Sequence, residues 1–188
     1  PFLERSFGSQ LFVSLLFRDF TFIYNSRPNR YGESHFFRAN VEMAGAEIWA
    51  ANAIYNGFAL MPDTLQITTP NGTLDFSQYL KLEFDGRYYK QYNPERSLAA
   101  RADIGIAQPF GFTTDVPYVK QFFVGGPTSI RAWPARGLGP GGFLDTLTRD
   151  PNNRLLLYQT GDLKLELNLE YRFEVFWRIK GALFLDAG

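Results

Sequence analysis

Reactive side chains are scarce in this chain. Cys is absent and His35 is the single histidine, which excludes thiolate chemistry, Cys-based metal sites and multi-histidine metal sites. His35, beside Ser34, has no Asp/Ser arrangement within sequence reach and reads as an exposed loop histidine; no G-x-S-x-G is present. Gly137, Gly139 and Gly142 fit G-x-G-x-x-G, but no strand–helix–strand context surrounds them and Pro140 lies inside, so the nucleotide reading is rejected. Asp63, Asp75 and Asp145 lack metal-loop spacing, and Asn71-Gly72-Thr73, a match to a glycosylation acceptor, reads as a turn. No catalytic residue, metal ligand or cofactor site is expected. What remains is carboxylates and cations at even spacings: Lys164, Glu166, Glu170 and Arg172, then Lys180 and Asp186. On one face of a strand such groups make ion pairs along a polar wall.

Those side chains need elements that hold them on one face. From Asp162 to Phe173, Asp162, Lys164, Glu166, Asn168, Glu170 and Arg172 alternate with Leu163, Leu165, Leu167, Leu169, Tyr171 and Phe173. Period two predicts a strand with one polar and one apolar face. At roughly 3.3 Å per residue it is long enough to cross a membrane core even when tilted by about 45°. The phase returns in 77–92, where Lys81, Glu83, Asp85 and Arg87 oppose Leu80, Leu82 and Phe84, and again in 97–108, 178–187 and 34–45. With 10–25, 118–124 and 161–175, the pattern predicts about seven strands. Helical periodicity is weak except at Ala44 to Asn56, which predicts a turn or two of helix. Asn93 to Arg96 and Phe176 to Arg178 read as tight hairpin turns, 61–76 as a linker. Residues 125–160 form a long loop rich in Gly and Pro, of a length that is usually functional.

Composition favours a membrane version of this sheet. Lys+Arg and Asp+Glu are equal at 19 each, which argues against a nucleic-acid partner. Aromatics reach 17%, and rings gather near strand ends, with Tyr88, Tyr89 and Tyr92 at one turn and Phe173, Phe176 and Trp177 at another. Aromatic girdles of this kind mark membrane interfaces. No apolar run approaches the roughly 18 residues of a transmembrane helix. The expected fold is therefore all-β: 1–188 as part of a single antiparallel transmembrane β-barrel, with one long loop entering the lumen. A soluble antiparallel sheet with its apolar face in a core is the alternative. Pro1 has no basic or apolar leader behind it, and Gly188 follows the apolar run Ala182-Leu183-Phe184-Leu185, so a piece of a longer chain is expected.

The stretch Phe122-Phe123-Val124-Gly125-Gly126-Pro127-Thr128-Ser129-Ile130-Arg131-Ala132-Trp133, followed by Gly137-Leu138-Gly139-Pro140-Gly141, resembles one specific loop. It looks like the loop with the Val-Arg-Gly-Phe signature in the BamA/TamA-type outer-membrane assembly superfamily, also called the bacterial surface antigen family. The signature here is Ile130, Arg131, Ala132, Trp133. Gly161-Asp162-Leu163-Lys164 with Leu169-Glu170-Tyr171-Arg172-Phe173, then Gly181-Ala182-Leu183-Phe184-Leu185-Asp186-Ala187-Gly188, resemble the two strands that follow it. The resemblance covers Tyr79 to Gly188, the C-terminal region of the barrel, fades toward Pro1, and is similar in flavour to TamA-like members from Bacteroidetes-type bacteria.

That resemblance implies the outer membrane of a Gram-negative bacterium and a role in inserting and assembling β-barrel proteins there, or in moving proteins across it. The implied partners are outer-membrane lipids, unfolded β-barrel precursors and periplasmic or lipoprotein accessory subunits, without a cofactor. Arg131 is implied to enter the lumen and fork between Glu170 and Asp186, in a conformational rather than catalytic role. Ala132 replaces a glycine, which bears on the turn because glycine alone takes positive φ freely. Trp133 offers a large ring to wedge among lumen side chains. The loop is expected to enter from the extracellular side, and since strands alternate in direction, 93–96 is then an outer turn, while 176–178 and 61–76 are periplasmic. The alternatives are a carrier barrel for a patatin-like lipase whose catalytic part lies upstream of Pro1, and a passive channel.

Overall fold

A computed structural model describes residues 18–58, 67–69, 72–74, 77–111, 113–139, 141, 159–177 and 179–188. Six strands form one sheet in the order β1-β2-β5-β6-β7-β8: β1 (Arg18–Asn25), β2 (Glu33–Ala44), β5 (Tyr79–Asn93), β6 (Arg96–Pro109), β7 (Leu163–Phe176) and β8 (Ile179–Ala187). Between β2 and β5 lie a helix, α1 (Ala46–Phe58), and a small hairpin, β3 (Ile67–Thr69) with β4 (Gly72–Leu74). The all-β antiparallel expectation holds. Glu42 meets Tyr79 while Glu33 meets Tyr88, so β2 and β5 run in opposite senses. Arg101 meets Glu166 while Asp103 meets Lys164, and the same follows for β6 and β7. β7 and β8 pair with Asn168 opposite Asp186 and Glu170 opposite Phe184.

The strand expected at 118–124 is absent. Tyr118–Lys120 is a single 3-10 turn, and Phe122 and Val124 make isolated bridges to Gly161 and Leu138. Pro117 has no N–H for a ladder, and the Lys120 ammonium is drawn to Glu42 at 2.7 Å. This removes one strand from the count and reverses the expected side of the 93–96 turn, while that of 176–178 is unchanged. Glu174 N donates to Glu95 O at 3.0 Å, so the β5–β6 and β7–β8 turns lie at the same end of the sheet, not at opposite ends. α1 is longer than expected, at 13 residues, and starts after Gly45, whose positive φ of 72° suits glycine. Of the first expected strand, 10–17 lies outside the described residues, as do Asp63, Asp75, Asn71 and 142–158 of the loop.

The chain divides into two compact units. In the unit of Pro1–Thr21, Asn40–Leu82 and Ile106–Gln121, Tyr79 is buried and its hydroxyl donates to Glu42 Oε1 at 2.5 Å, the oxygen that also pairs with Lys120. Gln78 N donates to Thr113 Oγ1 at 2.8 Å, which holds the start of the β6–β7 connection. In the unit of Phe22–Ala39, Glu83–Gly105 and Phe122–Gly188, burial runs opposite to that of a water-soluble protein. Asp85 and Asp103 are 0% exposed and Glu166 is 1%, whereas Leu163 is 71% and Leu185 69% exposed. A soluble core would bury the leucines and leave unpaired carboxylates in water. The strands of 14 and 15 residues in β5, β6 and β7 exceed the roughly 9–11 needed to cross a bilayer. Length and inverted burial together give a wall with an apolar outer face and an ionic inner face.

Candidate functional site

The site is where the loop after β6 meets the ionic face. Local backbone bonds shape the loop first. Gly125 N donates to Ser129 Oγ at 2.9 Å, Ser129 N to Gly126 O at 3.1 Å, and Gly126 N to Trp133 O at 2.8 Å. Gly125 sits at φ 103°, and a Cβ there would run into the Pro134 carbonyl. At the loop's base, Phe122 exchanges two 2.9 Å bonds with Gly161. Its ring lies against Gly105 of β6, where an added Cβ would stand 2.5 Å from ring carbons. A glycine in mid-strand is thus what admits this ring.

These turns deliver Arg131 to β7 and β8. Its Nε donates to Asp186 Oδ2 at 2.9 Å, its Nη2 to Asp186 Oδ1 at 3.0 Å, and its backbone N to Asp186 Oδ2 at 3.2 Å. The remaining Nη1 donates to Glu170 Oε2. The guanidinium carbon lies 4.0 Å from the centroid of the Phe184 ring, within cation–π range. Asn168 donates from Nδ2 to both Asp186 Oδ1 (3.0 Å) and the loop carbonyl of Ser129 (2.8 Å). Arg172 Nε donates to Glu170 Oε1 at 2.5 Å. The bonds to Asp186 above all, and those to Glu170, raise the guanidinium's pKa above its ordinary value. A planar fork filling one carboxylate and reaching a second fixes the loop's distance and its orientation together.

A second arginine works from the wall side. Arg101 of β6 donates to Asp85 Oδ1 (3.2 Å), Asp103 Oδ2 (2.5 Å), Glu166 Oε1 (3.2 Å) and the loop carbonyl of Thr128 (3.0 Å). Lys164 pairs with Asp103 at 2.7 Å and Glu83 at 3.4 Å, and Arg87 with Asp85 at 2.7 Å. Arg38 lies 3.7 Å from Asp85 and 3.9 Å from Glu83. Four cations and four carboxylates from β2, β5, β6 and β7 thus alternate across the inner face. This arrangement compensates buried charge by charge, and its chemical capacity is to hold geometry.

The structure brings Arg131, Glu170 and Asp186 together. Ile130 is buried, and an added Cβ on Gly188 would stand 2.7 Å from its Cδ1. Ala132 is not among the non-glycine residues with positive φ, which among the described residues are Arg136 and Trp177, so its methyl costs the turn nothing. Trp133 is 48% exposed, and its backbone carbonyl closes the turn by accepting from Gly126 N. His35 belongs to β2 rather than a loop, with its ring 5.2 Å from that of Tyr88. Sequence reasoning missed Arg101 and Asn168, whose partners are set by strand register rather than by any local motif.

Compared with known proteins, the chain gives no match among curated proteins or solved structures. The model of the Omp85 superfamily domain, by contrast, matches residues 16–188, all of the wall and the loop with its arginine, and the chain belongs to the Omp85 superfamily.

Proposed function

We propose that this chain is barrel wall of an outer-membrane protein that inserts and assembles other β-barrel proteins, or passes proteins across the outer membrane. One observation carries the reading: the loop arginine, Arg131, is held at once by Asp186 of β8 and Glu170 of β7, on the inner face of a wall whose outer face is leucine. Membership of an outer-membrane family supports the location and the general class of work. In this reading 125–160 enters the lumen from the extracellular side, so the turns at 93–96 and 176–178 both face the periplasm. The protein acts conformationally, without an enzymatic step of its own. Its charged side chains brace the loop against the wall while a seam elsewhere in the barrel opens, disturbs the bilayer and templates the strands of a client. Clients are unfolded β-barrel precursors, with outer-membrane lipids and periplasmic or lipoprotein accessory subunits as further partners.

The test is complementation of a strain depleted of the native protein, read as folded reporter barrel in the outer membrane. Arg131→Ala is expected to lower reporter assembly while the protein itself remains folded and inserted. Unimpaired assembly with a loop that has become protease-sensitive would separate loop bracing from function and refute the reading.

A further inference from the structure

A groove of about 640 Å³ crosses the apolar outer face, all of it within the second unit. Its floor is Gly86 of β5 with Ala100 and Ala102 of β6, outward positions whose neighbours Asp85 and Arg101 point to the ionic face. Nothing lies closer to the place of a Gly86 Cβ than the Ala102 carbonyl, at 3.9 Å, so the slot above it is open. Phe37 and Tyr88 wall one side, Leu167 and Leu169 the other.

The groove has a polar end. The Tyr88 hydroxyl donates to Glu33 Oε1 at 3.1 Å, Lys90 Nζ donates to the same oxygen at 3.0 Å, and Asn29 Nδ2 donates to Glu33 Oε2 at 3.0 Å. The Lys90 ammonium stands 5.4 Å from the centroid of the Tyr92 ring. Among the outward positions of β5 from Leu80 to Lys90, Lys90 is the only cation. An apolar slot therefore ends at a lysine, a carboxylate and two tyrosines, near the turns at 94–95 and 30–32.

We propose that this groove binds one glycerophospholipid, with an acyl chain over Gly86, Ala100 and Ala102 and the headgroup at Lys90, Tyr88 and Glu33. The assignment rests on the outer-membrane reading of the wall. Two features select this occupant. The groove is continuous with the leucine face that meets hydrocarbon, so a chain filling it leaves no polar group stranded. At its end, an ammonium suits the phosphate and a carboxylate suits an ethanolamine head, with tyrosine rings at the depth where such rings anchor. A polypeptide strand lying there would leave its own N–H groups unpaired in lipid.

The protein in phosphatidylethanolamine nanodiscs, doped with a phosphatidylethanolamine that carries a photoreactive acyl chain, provides the test. Adducts are expected to concentrate on 86–102, and Ala100→Trp, which fills the slot from the lipid side, is expected to lower them about tenfold. Gly86→Leu is expected to act likewise from the neighbouring strand, Lys90→Gln more weakly, and Ile179→Trp, outward on β8 six residues from the lining residue Leu185, not at all. Equal adduct yield around Ala100 and Ile179 in the unaltered protein, or an unchanged yield in both Ala100→Trp and Gly86→Leu, overturns the proposal. Reaction of Leu165→Cys with a water-soluble maleimide in the same discs separates the two possible failures. Free reaction refutes the membrane-facing wall itself; protection together with uniform adducts refutes the groove alone.

Discussion

Two arginines tie the same loop to the wall, one from the loop and one from the wall, and their settings differ. Arg131 is a loop residue reaching out to carboxylates of the wall, and its partner Glu170 keeps 18% side-chain exposure. Arg101 is a wall residue reaching to the Thr128 carbonyl from among Asp85, Asp103 and Glu166, none more than 1% exposed. One contact can be released without unmaking the wall, because water still reaches Glu170, which keeps Arg172, and Asp186, at 5% exposure, keeps the Asn168 amide. The other cannot, because its carboxylates have only the neighbouring cations to offset them. The ionic face thus contains a joint and a frame, and only the joint is suited to change during function.

Mutations should separate the two. Arg101→Ala leaves three buried carboxylates short of a partner and is expected to destabilise the wall by about 3–5 kcal/mol, read as a loss of heat-resistant folded barrel or a lower urea midpoint. If its stability matches that of Arg131→Ala, the frame and the joint are not distinct. Next in size is the outer face: Leu165→Arg is expected to cost roughly 2–4 kcal/mol if it lies near the bilayer centre, against much less for an arginine on the inner face. Indifference to the face would dissolve the two-sided wall. Arg131→Ala is expected to cost about 1–3 kcal/mol, felt as faster proteolysis between Gly137 and Asn153 rather than as global unfolding. Arg131→Lys should recover part of this, since an ammonium cannot fork. Smallest is Trp133→Ala, whose exposed ring is expected to matter by no more than about 0.5 kcal/mol.

What the sequence made legible follows from how locally each feature is encoded. β7 was readable because its leucines and charges alternate over a length no ordinary strand needs, and β8 continues the phase. Val119, Phe122, Phe123 and Val124 offered a similar apolar signal, yet the strand is missing because its backbone finds single bridges instead of a ladder. That difference depends on β6 pairing directly with β7, which no local pattern records. The mistaken strand then reversed the predicted sidedness of the turn at Asn93, an error of parity rather than of periodicity. Arg131 was identifiable only through a motif resemblance. Arg101 looks like Arg172 in sequence, and the register that surrounds one with buried acids and leaves the other mostly exposed is a long-range property.

The central claim is that Arg131, Asp186 and Glu170 act as one joint. A double-mutant cycle tests it most directly, combining Arg131→Ala with Asp186→Asn and, separately, with Glu170→Gln, each read by loop proteolysis and by assembly of a reporter barrel. Each double variant is expected to be little worse than Arg131→Ala alone, a coupling of about 1 kcal/mol or more, as for residues sharing one network. Additive losses in both cycles would contradict the account, because the arginine and the two acids would then be acting independently.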